Sequence, residues 1–241
     1  MRKIDFENNE YYHIYNRGVD KRDVFLDDAD RWKFFDCLRD FNNKTYYEDR
    51  LCALGISKDN PKELSSFDFK QLGIFLKEQD RVVHIVSYSE IKNHYHCVAQ
   101  QCVDKGIPNF MHKVGTSYTN AFNKKYNRSG SLFQGPYKAV RIESEEQLLW
   151  VLGYVNGNVE IHGLGEAKID PWSSYQAISK ELSSFEKKGG SQLSNLSVLS
   201  GLDILKANFA TAKDFEEFVK MVIKESRAKK EMQKYLLDTD L

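Results

Sequence analysis

Apolar and polar positions alternate along the chain in short runs whose periods name their elements. Tyr11-Tyr12-His13-Ile14-Tyr15-Asn16 is aromatic and β-prone and stops at Arg17-Gly18, a strand entering a turn. Residues 27–41 open on acids and place Trp32, Phe35 and Leu38 at helical spacing, which predicts an amphipathic helix. Residues 81–88 read as a second strand, 89–93 as a turn and 94–101 as the returning strand. Residues 107–127 are helical in pattern, with Pro108 in the first turn and Arg128-Ser129-Gly130 at the end. Residues 132–142 alternate as a last strand. Ser144-Glu145-Glu146-Gln147 is a capping box for a helix running to about residue 157.

The order strand, helix, strand, strand, helix, strand predicts a split βαβ arrangement. This is an α+β, ferredoxin-like fold with an antiparallel sheet and helices on one face. Residues 43–80 are mixed and polar, broken at Asn60-Pro61, and read as an insertion. The main domain is expected over 1–178, a linker over 179–195 around Lys187-Lys188-Gly189-Gly190-Ser191, and a helical C-terminal extension over 196–241. That extension is expected to hold helices at 196–209 and 214–237, the second with Phe215, Phe218, Val219 and Val222 on its apolar side.

Composition narrows the class. With 41% hydrophobic and 13% aromatic residues, 241 residues can bury a core, which excludes wholesale disorder. No apolar run approaches the roughly 20 residues of a membrane span, and the first residues lead into no signal-peptide core. Cys37, Cys52, Cys97 and Cys102 form no CxxC pair and suit a reducing compartment, so a cytoplasmic protein is expected. Lys and Arg number 35 against 35 Asp and Glu, which argues against a generally basic nucleic-acid binder. The average hides a patch, however. Residues 105–142 hold seven cations (Lys105, Lys113, Lys124, Lys125, Arg128, Lys138, Arg141) and no acid, interleaved with Tyr118, Phe122, Tyr126, Phe133 and Tyr137. Cations and aromatics together bind phosphates and stack bases. A solvated helix face over ordinary core aromatics accounts for the stretch equally well.

Two constellations could carry chemistry. In a strand, residues i and i+2 leave by the same face, so His94 and His96 would present paired imidazoles, half of a divalent-metal site. Two surface histidines on an edge strand are the plainer account. On the helix after the capping box, Leu148, Val151, Leu152 and Val155 form a core face, and Tyr154 and Asn158 share its flank. A tyrosine hydroxyl is a poor nucleophile unless its target is activated, and a metal at a phosphate oxygen gives that activation. Taken alone, Tyr154 packing and Asn158 capping explain this pair as well.

With those residues in place, the chain resembles the single-tyrosine HUH transposases, on the branch of the REP-associated tyrosine transposases. Four stretches in register carry the likeness: Tyr12-His13-Ile14-Tyr15-Asn16-Arg17-Gly18; Ile91-Lys92-Asn93-His94-Tyr95-His96; the run from Ser117 through Lys124-Lys125-Tyr126-Asn127-Arg128-Ser129-Gly130 to Leu132-Phe133-Gln134-Gly135; and Tyr154-Val155-Asn156-Gly157-Asn158. The resemblance implies His94, His96 and Asn158 as metal ligands, Tyr154 as nucleophile and Mg²⁺ or Mn²⁺ as cofactor. It implies attack on single-stranded DNA beside a hairpin, with a 5′-phosphotyrosine link and a free 3′-OH. The DNA-binding set is then Lys113, Lys124, Lys125, Arg128, Lys138 and Arg141, acting in a monomer or homodimer with no membrane partner. The chain departs from the family where relatives carry a Pro before the HUH Asn and an Asn-Pro-Val-Arg-like run after the tyrosine. It has Lys92-Asn93 and Asn158-Val159-Glu160-Ile161 there. Tyr118 and Tyr126 are rival nucleophiles, ranked below Tyr154 because neither has an amide four residues on. An idle hairpin-binding relative and a ferredoxin-like RNA-binding module are the alternatives.

Overall fold

The computed structural model describes residues 4–42, 81–186 and 198–238. The insertion expected at 43–80 lies outside the described residues. In chain order the elements are β1 (Tyr11–Arg17), α1 (Asp28–Asp40), β2 (Val83–Ile91), β3 (His94–Gln101), α2 (Gly106–Lys125), β4 (Lys138–Arg141) and α3 (Glu145–Asn156). They continue with α4 (Asn158–Ile161), α5 (Tyr175–Glu186), α6 (Asp203–Asn208) and α7 (Ala212–Asp238). The strands form one antiparallel sheet in the order β2-β3-β1-β4, the ferredoxin-like fold expected.

Strand alternation divides the sheet into two faces. Tyr12 and Ile14 of β1 and Tyr95 and Cys97 of β3 share one face, against α1 and α2: Phe34 lies 4.7 Å from Tyr95 and 5.1 Å from Tyr118, ring centre to ring centre. His13, Tyr15 and Arg17 of β1 share the other face with His94 and His96 of β3. There α3 packs, burying Leu148, Leu152 and Val155. The sheet is thus covered on both sides, and α7 covers α3 in turn.

Helix ends follow local chemistry. Asp27 caps α1 by accepting from the Asp30 amide, 2.9 Å. Ser144 Oγ accepts from the Gln147 backbone amide at 3.1 Å, and the Gln147 side-chain Oε1 accepts from the Glu143 backbone amide at 2.8 Å.

Several expectations change. The buried stripe of α1 is Phe34, Cys37 and Leu38, while Trp32 is 57% exposed against Trp172. The stripe rotates because Asp30 is buried by an ion pair to Lys125 and draws its own side of the helix inward. β2 runs on to Ile91 because the Glu90 amide bonds the Trp172 carbonyl, and the Tyr88 carbonyl accepts the Ser174 amide along that edge. The last strand shrinks to Lys138–Arg141: Phe133 only bridges Gly18, and Gly135 at φ +118° breaks the extended run.

The C-terminal extension joins the core. α5 occupies the first eight positions expected as linker, with 187–195 outside the described residues. Ser200 bonds the Ile85 carbonyl, so residues before α6 run along β2 instead of forming the long helix expected at 196–209. Phe215, Val219, Val222 and Ile223 of α7 are buried, each worth about 1.5–3 kcal/mol of transfer free energy. Cys37 and Cys97 are buried thiols pushed up to about 11 and about 12 by desolvation, which leaves them inert. Among the described residues, no helix is long and apolar enough to cross a membrane.

Candidate active site

His94 and His96 leave β3 together, their rings 5.1 Å apart and nearly perpendicular at 87°. Each has one nitrogen engaged. His94 Nδ1 lies 2.6 Å from Asn93 Oδ1, and Asn93 Nδ2 donates to the Lys21 carbonyl, which fixes the amide's orientation. A carbonyl oxygen only accepts, so the neutral His94 ring carries its proton on Nδ1 and keeps a lone pair on Nε2. His96 Nδ1 lies 2.9 Å from Nε2 of His13, one strand away on β1. Tyr15, opposite His96 in the register, stacks on it at 5.7 Å.

The second half of the site comes from α3 and α4. The Tyr154 ring stands edge-on to His96 at 5.6 Å and to His13 at 6.3 Å. Gly157 ends α3, and Asn158 opens α4 beneath Tyr154. Asn158 is wholly buried and close enough to His94 and Tyr154 to interact with both, yet among the described residues neither of its amide atoms makes a hydrogen bond of good geometry. His162, just past α4, reaches to 5.1 Å from the His94 ring.

Burial sets the charge state. Desolvation lowers His13 to about 4. It lowers His94 to about 4 as well, with His162 and Arg17 adding to the effect and Asn158 opposing it. His96 is held well below the ordinary histidine range by burial first, then by His13 and His94. His162 is lowered by burial, Lys230 and Arg17. Burial raises Tyr154 above the ordinary value of 10.0, and Asn158 partly offsets this. At neutral pH the site therefore presents uncharged imidazoles and a protonated phenol within the field of Arg17 and Lys230, which favours an anion such as phosphate.

No group of three His, Cys, Asp or Glu side chains able to hold a metal exists among the described residues. The donors here are two imidazoles and one neutral amide oxygen. A buried amide without a partner is costly unless something else satisfies it, and this mixed nitrogen–oxygen set suits a divalent ion.

The sequence-derived residues His94, His96, Tyr154 and Asn158 are brought together. The six cations are not. Lys138 lies on the Tyr154 side of the sheet, 6.0 Å over the Tyr15 ring. Lys113 and Lys124 are exposed on α2, across the sheet. Lys125 is engaged by Asp27 at 2.7 Å and Asp30 at 2.8 Å, Arg128 by Asn123 and the Ser131 carbonyl, and Arg141 by Glu7 and Glu10. The rival tyrosines are occupied on the α1–α2 side: Tyr118 donates to the Val24 carbonyl and Tyr126 to Asp30. A cleft of about 520 Å³ between α2 and the 130–137 loop, with Asn16, Tyr95 and Phe133 in its wall, also belongs to that side and not to the Tyr154 site.

Sequence reasoning missed His13, Tyr15, Arg17 and His162 as neighbours of the site. The first three carried a signal: they stand at i, i+2 and i+4 of one strand, the period that singled out His94 and His96. His162 carried none, since its position depends on the break at Gly157.

No family model and no curated protein sequence matches the chain. Among solved structures, it is similar to a REP-associated tyrosine transposase bound to a REP hairpin. The likeness has 11% identity and a TM-score of 0.46, and covers 73% of this chain and 83% of that one.

Proposed function

We propose that this chain is a metal-dependent transposase-like enzyme that cleaves and rejoins single-stranded DNA beside hairpins. The observation that carries the reading is the meeting of Tyr154 and Asn158, from α3 and α4, with His94 and His96 of β3. The four-stretch likeness to the HUH transposases supports the choice of reaction. His94, His96 and Asn158 would hold Mg²⁺ or Mn²⁺. Such an ion supplies positive charge beside a phosphate oxygen and makes the phosphorus more electrophilic.

The side chains perform the remainder. Tyr154 Oη bonds to phosphorus as the bond from phosphorus to the 3′-oxygen breaks; the phenol loses one proton and the leaving 3′-oxygen gains one, so the products are a 5′-phosphotyrosine and a free 3′-OH. Attack by that 3′-OH, or another, reverses the step and rejoins the strand. Asn158 orients the phenol. Arg17 and Lys138 stand where the backbone phosphates would pass, and the exposed α2 lysines, across the sheet, would hold the hairpin stem.

The test is incubation of the full chain with Mn²⁺ and a single-stranded hairpin oligonucleotide, followed by a denaturing gel. A covalent band absent in Tyr154→Phe is expected. Hairpin binding with no adduct contradicts the enzyme. Preferential RNA binding that ignores divalent metal replaces it with the RNA-module reading.

A further inference from the structure

We propose that His13 is a positioning residue for His96: its Nε2 accepts the Nδ1–H of His96 and holds that imidazole in the tautomer whose Nε2 keeps a lone pair for a cation. The proposal rests on the metal-dependent reading above. The two nitrogens stand 2.9 Å apart, and the rings are inclined by only 20°.

The contact differs in kind from the one that orients His94. Asn93 Oδ1 can only accept, so that bond has one setting. An imidazole can accept or donate, so the His13–His96 bond has two. If His13 donated, His96 would accept at Nδ1 and carry its own proton on Nε2, with no lone pair left for metal. If His96 donates, its Nε2 is the free donor. Only the second setting serves the site.

The surroundings hold the pair in place. Tyr15 stacks on His96 at 5.7 Å and lies 5.2 Å from His13, and the Tyr154 edge closes the side facing the helix. Partners of this sort behind a metal-binding imidazole are typically worth 10–100-fold in metal affinity.

Two variants and two readouts decide it. His13→Gln retains an acceptor oxygen of similar reach; His13→Phe retains bulk without an acceptor. Long-range ¹H–¹⁵N spectra of the metal-free wild type should show His96 protonated on Nδ1. That signature should survive in His13→Gln and vanish in His13→Phe. Calorimetric titration with Mn²⁺, without DNA, should show affinity falling 10–100-fold in His13→Phe and returning to within a few-fold of wild type in His13→Gln. A wild-type His96 protonated on Nε2 overturns the proposal, even if the chain binds Mn²⁺. Equal Mn²⁺ affinity in His13→Phe and wild type overturns the role of His13 alone. A wild type that shows the expected tautomer but takes up no Mn²⁺ overturns the metal-dependent function itself, and with it the purpose given to this bond.

Discussion

Gly157 faces Ile223 so closely that a methyl group on its Cα would stand 2.5 Å from Ile223 Cγ1 and 3.1 Å from the Gly153 carbonyl oxygen. The junction between α3 and α4, which places Tyr154 and Asn158, is therefore set against α7. Gly157→Ala overpacks this contact, at a cost of about 1–3 kcal/mol. Calorimetry should show Tm lowered by several degrees. An unchanged Tm would mean that α7 yields without resistance and does not hold the junction.

Asn158 is wholly buried with no hydrogen bond of good geometry among the described residues, and the proposed function gives its amide the role of a ligand. An unsatisfied buried polar group costs about 1–3 kcal/mol, and among the described residues neither atom of this amide makes a hydrogen bond of good geometry. Asn158→Leu should leave the melting temperature of the metal-free protein equal or higher while Mn²⁺ affinity falls at least tenfold. A marked loss of stability would show that the amide is satisfied in the folded chain.

Glu90 makes stability depend on pH. Burial holds its carboxyl well above the ordinary value of 4.5; Arg31 opposes the shift, Asp170 adds to it, and among the described residues neither oxygen accepts a hydrogen bond. The folded-state pKa exceeds the unfolded one, so the contribution is fully present below about pH 4.5 and is lost as pH rises toward the folded value. Glu90→Gln has no such proton to lose. The melting temperature of the variant, less that of wild type, should grow as pH is raised from about 4.5 through neutrality. A difference that stays flat across that window would contradict the assignment.

Lys125 holds a buried acid, and that separates its expected effect from those of the exposed Lys113, Lys124 and Lys138. Replacing Lys113, Lys124 and Lys138 together with Ala should weaken hairpin binding and reduce the salt slope of log K by about 2.5, at about 0.9 for each stem phosphate and about 0.7 for the single-strand one. Replacing Lys125 should act chiefly on stability, since Asp30 is buried against it at 2.8 Å. Fluorescence anisotropy across a salt series and thermal melts separate the two. The assignment fails if Lys125→Ala keeps its Tm but loses DNA affinity to the same degree as the triple variant.

The sheet and the pairing of His94 with His96 were legible because period-2 patterning is local: the two share a face whatever surrounds them. The helix bearing Tyr154 was legible from its capping box and from Leu148, Leu152 and Val155. What escaped depended on distant partners. Nothing near Trp32 reveals that Lys125 draws Asp30 inward and turns α1. Nothing near Gly157 reveals that Ile223 will lie on it, so α7 read as an appendage when it is a wall of the core. The cationic stretch was visible as composition, but Asp27, Glu7 and Glu10, which engage Lys125 and Arg141, come from the other end of the chain.

The central claim is that the Tyr154 oxygen becomes joined to DNA. A single-stranded hairpin oligonucleotide labelled separately on its 5′ and 3′ sides, incubated with the full chain and Mn²⁺, tests it most directly when the adduct is digested and mapped by mass spectrometry. The account predicts that only the fragment 3′ of the cut stays attached, through a phosphate on Tyr154, and that the other fragment ends in a free 3′-OH. Attachment at Tyr118, Tyr126 or any other residue, or an adduct that persists in Tyr154→Phe, would contradict it.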